Sequence, residues 1–141
     1  MCMTIKMHFD ISGDDFTRAG EASGKVKSKL KQLGISPDAV RRTAIALYEG
    51  EINLVIHAGG GEIDVTISPE SVEMVLSDKG PGIADVEKAM TEGFSTASEN
   101  IRSLGFGAGM GLPNMKRYTD DMEIKSEVGV GTDITMKVNL S

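Results

Sequence analysis

Residues 47–60 read LYEGEINLVIHAGG. Leu47, Ile52, Val55 and Ile56 make the stretch apolar enough for a core, yet Glu49, Asn53 and His57 recur through it at four-residue intervals. Four residues is close to one helical turn, so in a helix the three share a face. The flanks support a helix. Ser36 can cap it, Pro37 fits its first position, and Asp38 favours its first turn. The glycines at 59–61 are its stop signal, which gives a helix from 37 to about 57. A carboxylate at the edge of a core is costly unless something pairs with it. Taken alone, the segment fits a structural polar cluster or a solvated helix flank as well as a site. Gly50 costs about 1 kcal/mol in a helix interior relative to alanine, and points to close packing against another backbone.

Outward from this helix the pattern alternates less regularly. Residues 3–9, MTIKMHF, read as a first strand. Asp14 or Asp15 can cap a helix over 15–33, with Phe16, Ala19, Val26, Leu30 and Leu33 as its apolar stripe and Gly34 as its end. Downstream, EIDVTIS (62–68) and SVEMVLSD (71–78) read as strands joined at Pro69–Glu70. A long segment from Lys79 to about Gly107 follows, with a short helix at 84–91 and then the polar run STASENIRS. A third main helix starts near Gly109 and passes through MGLPNMKRY, with Pro113 in its first turn. DMEIKSE and TDITMKVNL close the chain as an antiparallel hairpin around VGVG. The expected fold class is a two-layer α/β (α+β) sandwich. A mixed, mostly antiparallel sheet of about five strands is covered on one face by three main helices.

Composition narrows the class. The 141 residues fit a single domain, 1–141, with a sizeable core. Charged residues make up 26% and hydrophobic ones 40%, the balance of a globular protein. Net charge is −6 and pI about 4.9, which disfavours nucleic acid and anionic membrane as partners. Cys2 has no second cysteine to pair with, and no apolar run reaches membrane-spanning length, so a cytoplasmic location is expected.

Glycine stands out at 17 of 141 residues, well above the roughly 7% of an average protein. These glycines gather at 59–61, 80–82, 105–111 and 129–131. Four turns would explain them, and so would a backbone built for close approach to a ligand. Asn53 one turn from Glu49 makes a reasonable nucleotide–metal pair, an amide oxygen for Mg2+ and a carboxylate to orient or deprotonate a hydroxyl. His57 by itself fits a capping or core histidine. In SDKGPGI (77–83), Asp78 ends a strand at a tight turn and can accept a hydrogen bond from a ring amine. GFGAGMGL (105–112) precedes a helix and offers backbone N–H groups to phosphates, without the lysine of a P-loop. VGVGTD (128–133) places a hydroxyl at Thr132 beside a glycine turn.

The order of these motifs is more specific than any one of them. An ExxxN helix, a strand ending DxGxG, a polar segment, GxGxG before a helix and a closing GxGT hairpin resemble the GHKL ATP-binding domain. That domain, the Bergerat fold, is shared by DNA gyrase, Hsp90, the histidine kinases and MutL. The resemblance spans about 35–138. TAIALYEGEINLVIHA, DKGPGI, EGFST and GAGMGLPNMKR look most like the anti-sigma-factor and stressosome-switch serine/threonine kinases. It implies that Asn53 holds Mg2+ and that Glu49 is the general base. Asp78 would receive the adenine amino group with help from Thr132, and His57 would be a pocket wall. Gly80 and Gly82 would line the nucleotide pocket, while Gly105, Gly107, Gly109, Gly111 and Leu112 would wrap the phosphates. Residues 84–108 would form a lid over ATP or ADP, closed by Ser95 or Thr96.

One departure concerns the phosphate loop. Several relatives of this kind carry an arginine near its start, where this chain has Gly107 and Ala108, leaving Arg102 or Lys116 as substitutes. The chain also lacks the phospho-accepting helix of a histidine kinase. The resemblance therefore implies an ATP-dependent serine/threonine kinase acting as a regulatory switch. Its partners would be a small regulatory protein like an anti-sigma-factor antagonist, a sigma factor, and a second copy in a homodimer. A nucleotide-dependent binding module without catalysis and a stand-alone ATPase are the alternative expectations.

Overall fold

A computed structural model of the chain describes residues 4–12, 20–57, 60–78, 111–127 and 129–140. In chain order these form β1 (Ile5–Ser12), α1 (Glu21–Gln32), α2 (Pro37–His57), β2 (Gly60–Ile67) and β3 (Ser71–Asp78). Then come α3 (Gly111–Arg117), β4 (Asp121–Glu127) and β5 (Gly131–Asn139). The five strands form one sheet in the order β1-β2-β3-β5-β4, and all four pairings are antiparallel.

Period-two alternation decides which face of the sheet the helices cover. Ile63, Val65 and Ile67 of β2, Val72, Met74 and Leu76 of β3, and Ile134, Met136 and Val138 of β5 are all buried. Between them on the opposite face stand Glu62, Asp64, Glu73, Asp133 and other exposed residues. Val26 and Leu30 from α1, Leu47 and Leu54 from α2, and Met115 from α3 complete the same core cluster. Burying a side chain of that size contributes roughly 1.5–3 kcal/mol, so this single apolar layer dominates the stability of the fold. The open face carries a surface pair instead, His8 Nδ1 with Asp64 Oδ1 at 2.6 Å.

Several expected boundaries move. β1 runs to Ser12 because its pairing with β2 continues in register from Ile5↔Ile67 to Ser12↔Gly60. Gly60, expected as part of the stop after α2, instead opens β2 in a left-handed conformation with φ 102. Helix α1 begins at Glu21, after Gly20 at φ 97. Asp14, Asp15, Phe16 and Ala19 lie outside the described residues. Leu33, expected in the apolar stripe, is the C-cap of α1 and 39% exposed. Gly34 ends the helix at φ 75, as expected from its position. The short helix expected at 84–91 lies outside the described residues. No helix among the described residues is long and apolar enough to cross a membrane.

Candidate functional site

The helix-covered face of the sheet is apolar row by row until its last row. Met122, Met136 and Met74 stand side by side across β4, β5 and β3, and so do Ile124, Ile134 and Leu76. The next row on that face is Ser126, Thr132 and Asp78. Directly opposed residues of an antiparallel pair project to the same face, so this polar row points where the core points. Thr132 is buried, and its hydroxyl lies 2.8 Å from the Ser126 hydroxyl, which also donates to the Gly131 carbonyl at 3.3 Å.

Helix α2 crosses this end of the sheet. Gly50 sits over Leu76: a Cβ there would overlap a Leu76 methyl and lie 3.3 Å from Met115 Sδ of α3. One turn later, Leu54 reaches the start of β2, where a Cβ on Gly61 would lie 3.1 Å from its methyl and 3.3 Å from Asp78 Cα. That Cβ would also overlap the Ser77 carbonyl. Gly61 thus lets β2 pack closely against the Ser77–Asp78 backbone, where a side chain would not fit.

Glu49 and Asn53 each precede one of these sheet-facing residues, about 6 Å apart along the helix axis. Both are half-buried. Burial pushes the Glu49 carboxyl above its ordinary value, and a hydrogen bond from the Asn114 side chain of α3 partly counters this. The Asn53 amide carbonyl is a neutral hard oxygen donor one turn from Glu49 on α2. That donor chemistry fits a divalent cation that keeps most of its ligands as water and phosphate oxygen.

The helix turns its other glutamate the opposite way. Glu51 is 1% exposed, and its carboxylate accepts the backbone N–H groups of Ala22 at 3.2 Å and Ser23 at 3.1 Å. It caps α1 from another helix, where the N-cap Gly20 has no side chain to do so.

The model of the histidine kinase-like ATPase domain matches residues 14–138. The chain belongs to that family.

Among histidine kinase-like ATPase domains, it is 33% identical over 112 residues to the serine/threonine-protein kinase RsbT of Bacillus subtilis. That match covers 77% of this chain and 78% of RsbT. It is 31% identical over 149 aligned residues to the anti-sigma F factor of the same organism, covering 99% of this chain and 95% of the relative. The fold also superposes on part of the structure of the RsbU and RsbW domains of Rv1364c from Mycobacterium tuberculosis, with TM-score 0.62 and 15% identity. That superposition covers 96% of this chain and 32% of the other. The mycobacterial sensor histidine kinase MprB superposes with TM-score 0.54 and 18% identity, covering 96% and 97%.

Of the residues expected at a site in this ATPase family, Glu49 and Asn53 lie half-buried one turn apart on α2, and Asp78 and Thr132 are direct partners at the end of β3 and β5. Gly111 opens α3, while Leu112 is 7% exposed and belongs to the core cluster. His57 closes α2, and its side chain lies outside the described residues. Gly80, Gly82, Ser95, Thr96, Arg102, Gly105, Gly107, Gly109 and the lid at 84–108 also lie outside them. Lys116 is exposed in the last turn of α3. Sequence reasoning missed Glu51, Ser126 and Asn114. Ser126 was findable from the register of the closing hairpin. Glu51 and Asn114 act through contacts between helices, which spacing along one helix does not reveal.

An open groove of about 420 Å³ between β1 and α1, lined by Met7, Gly20, Lys25 and Lys29 among others, holds none of these residues.

Proposed function

We propose that the protein is an ATP-dependent serine/threonine kinase. It would bind Mg-ATP between α2 and the polar end row of the sheet and pass the γ-phosphoryl group to a small regulatory protein. The observation that carries this reading is the half-buried pair Glu49 and Asn53, one turn apart on a helix that packs on a sheet whose last helix-facing row changes from apolar to Ser126–Thr132–Asp78.

Asp78 accepts the adenine amino group, its backbone held by close packing against Gly61 of β2. The Ser126 hydroxyl holds the Thr132 hydroxyl in place beside Asp78. Asn53 would hold Mg2+, which supplies positive charge against the phosphates when bound. Glu49 takes the proton of the acceptor hydroxyl as its oxygen bonds to the γ-phosphorus and the bond to the β–γ bridging oxygen breaks, releasing ADP. Its raised pKa, caused first by burial, brings it nearer the operating pH of a base. The similarity to RsbT and to the anti-sigma F factors supports a partner of the kind that a regulatory switch phosphorylates or sequesters.

The test is incubation with γ-labelled ATP and candidate partner proteins. Label on a serine or threonine of the partner, lost in Glu49→Gln while ATP still binds, is the expected result. ATP-dependent partner binding without label would replace the kinase with a binding module. Free phosphate without a partner would replace it with an ATPase.

A further inference from the structure

The open face of the sheet carries a square of metal-ligating side chains where β1 pairs with β2. In the register of that pair His8 opposes Asp64, and Asp10 opposes Glu62. Directly opposed residues share a face, as do residues two apart on one strand, so all four project to one side. That side is the one the helices leave open. All four are exposed, whereas Ile63, between Glu62 and Asp64, is buried. The His8 Nδ1–H donates to Asp64 Oδ1 at 2.6 Å, and Nε2 lies 3.2 Å from Asp10 Oδ1. One ligand atom from each of His8, Asp10 and Glu62 lies within 4.8 Å of the other two.

We propose that His8, Asp10 and Glu62 form a Zn2+ site on the open face, with Asp64 as the outer carboxylate that orients the imidazole.

The donor set fits that ion. Zn2+ takes imidazole nitrogen and carboxylate oxygen at about 2.0–2.2 Å, which puts neighbouring ligand atoms roughly 3.5 Å apart in a tetrahedron. Rotation of exposed side chains closes the remaining distance, and water takes the fourth position. A nitrogen beside two carboxylates selects a transition ion over Mg2+ or Ca2+, which favour oxygen alone. A carboxylate on the far nitrogen of a ligating histidine is the usual outer partner, fixing the tautomer and the ring.

Charge points the same way. Asp10 and Glu62 are like charges directly opposed, an unfavourable cross-strand pair. Among the described residues Glu62 makes no hydrogen bond or ion pair, and His8 is the ion-pair partner of both Asp10 and Asp64. Lys6, next on the same face and opposite Thr66, pairs with none of them. Asp64 first and then Asp10 hold the imidazole above its ordinary pKa, so the square already favours a positive charge at its centre. Zn2+ takes the place of the proton between Nε2 and Asp10 and releases it. The bound ion clips the edge strand β1 to β2 on the face away from α2, so the site is independent of the nucleotide reading.

The experiment titrates Zn2+ alone into the chelator-treated, nucleotide-free full chain by calorimetry, with Co2+ absorption as a second probe of the ligand set. The unaltered protein is compared with His8→Ala, Glu62→Gln and Asp64→Ala, all exposed positions. One ion per chain is expected. His8→Ala should bind at least about a hundredfold more weakly, and Asp64→Ala about tenfold, the usual loss for an outer partner. Glu62→Gln should also bind about tenfold more weakly, and the Co2+ spectrum should change with it. Equal Zn2+ affinity in the unaltered protein and His8→Ala overturns the proposal, whether the ion binds elsewhere or not at all. Binding that depends on His8 but not on Glu62 or Asp64 also overturns it, since the imidazole then acts alone.

Discussion

The carboxylate of Glu51 in α2 accepts the backbone N–H of Ser23 in α1 at 3.1 Å, across 28 residues of chain. Two positions earlier on the same helix, Glu49 meets Asn114 of α3. The pentad EGEIN thus divides its work: Glu51 reaches into α1, Gly50 packs onto the sheet, and Glu49 and Asn53 stay half-buried one turn apart.

Glu51 is a stability residue. In Glu51→Ala two N–H groups at the start of α1 lose their acceptor in a buried setting, each worth about 1–3 kcal/mol. The expected loss is about 3 kcal/mol by urea unfolding, with Glu51→Gln losing less because its amide oxygen still accepts one bond. Equal stability of Glu51→Ala and the unaltered protein would contradict the cap.

Two glycines test close approach. Gly50→Ala gains about 1 kcal/mol of helix propensity but overpacks Leu76 and Met115, which costs about 1–3 kcal/mol. Net destabilisation of about 1 kcal/mol is expected in thermal unfolding. Gly61→Ala is worse, because its Cβ meets the Ser77 carbonyl, a backbone atom that cannot rotate aside. It should lose more stability than Gly50→Ala and also weaken ATP binding through Asp78.

Glu49 makes stability depend on pH. Its folded pKa is raised above the ordinary carboxylate value, first by burial. A raised carboxyl favours the fold at pH below about 4.5, where it is protonated in both states, and loses that contribution as pH rises through the folded value. Glu49→Gln should therefore be about as stable as the unaltered protein near pH 4 and more stable at pH 7. Melting temperatures measured across that range check the sign; a lower value for Glu49→Gln at pH 7 contradicts it.

Ser126 acts on the site through Thr132. Ser126→Ala removes the partner of the Thr132 hydroxyl, a loss of about 1 kcal/mol or roughly fivefold in ATP affinity. The deficit should not add to that of Thr132→Val, because one hydrogen bond is broken by both.

The sheet and α2 were legible because both are written in local signals. Alternation marks Val72 to Leu76 and Ile134 to Val138, and Ser36, Pro37 and Asp38 mark the start of α2. Ala39 N–H indeed donates to Ser36 Oγ at 3.4 Å. The start of α1 was not legible, since its cap is Glu51, a side chain from elsewhere in the chain. α2 ends at His57 as its glycine signal implied, but the start of β2 at Gly60 was not legible, because only pairing with Ser12 extends the strand that far. For the site, Asp78 and Thr132 were readable as separate strand ends. Their being direct partners depends on β5 returning beside β3, which no short motif encodes.

The central claim is that α2 and the polar end row of the sheet form one Mg-ATP site. Calorimetric titration of Mg-ATP into the unaltered protein, Asp78→Asn and Gly24→Ala tests it most directly. A Cβ at Gly24 meets nothing within 4 Å, so that variant controls for substitution alone. A charge-assisted hydrogen bond is worth about 1.5–3 kcal/mol, so Asp78→Asn should bind at least about tenfold more weakly while Gly24→Ala binds normally. Equal affinity in all three proteins would contradict the account.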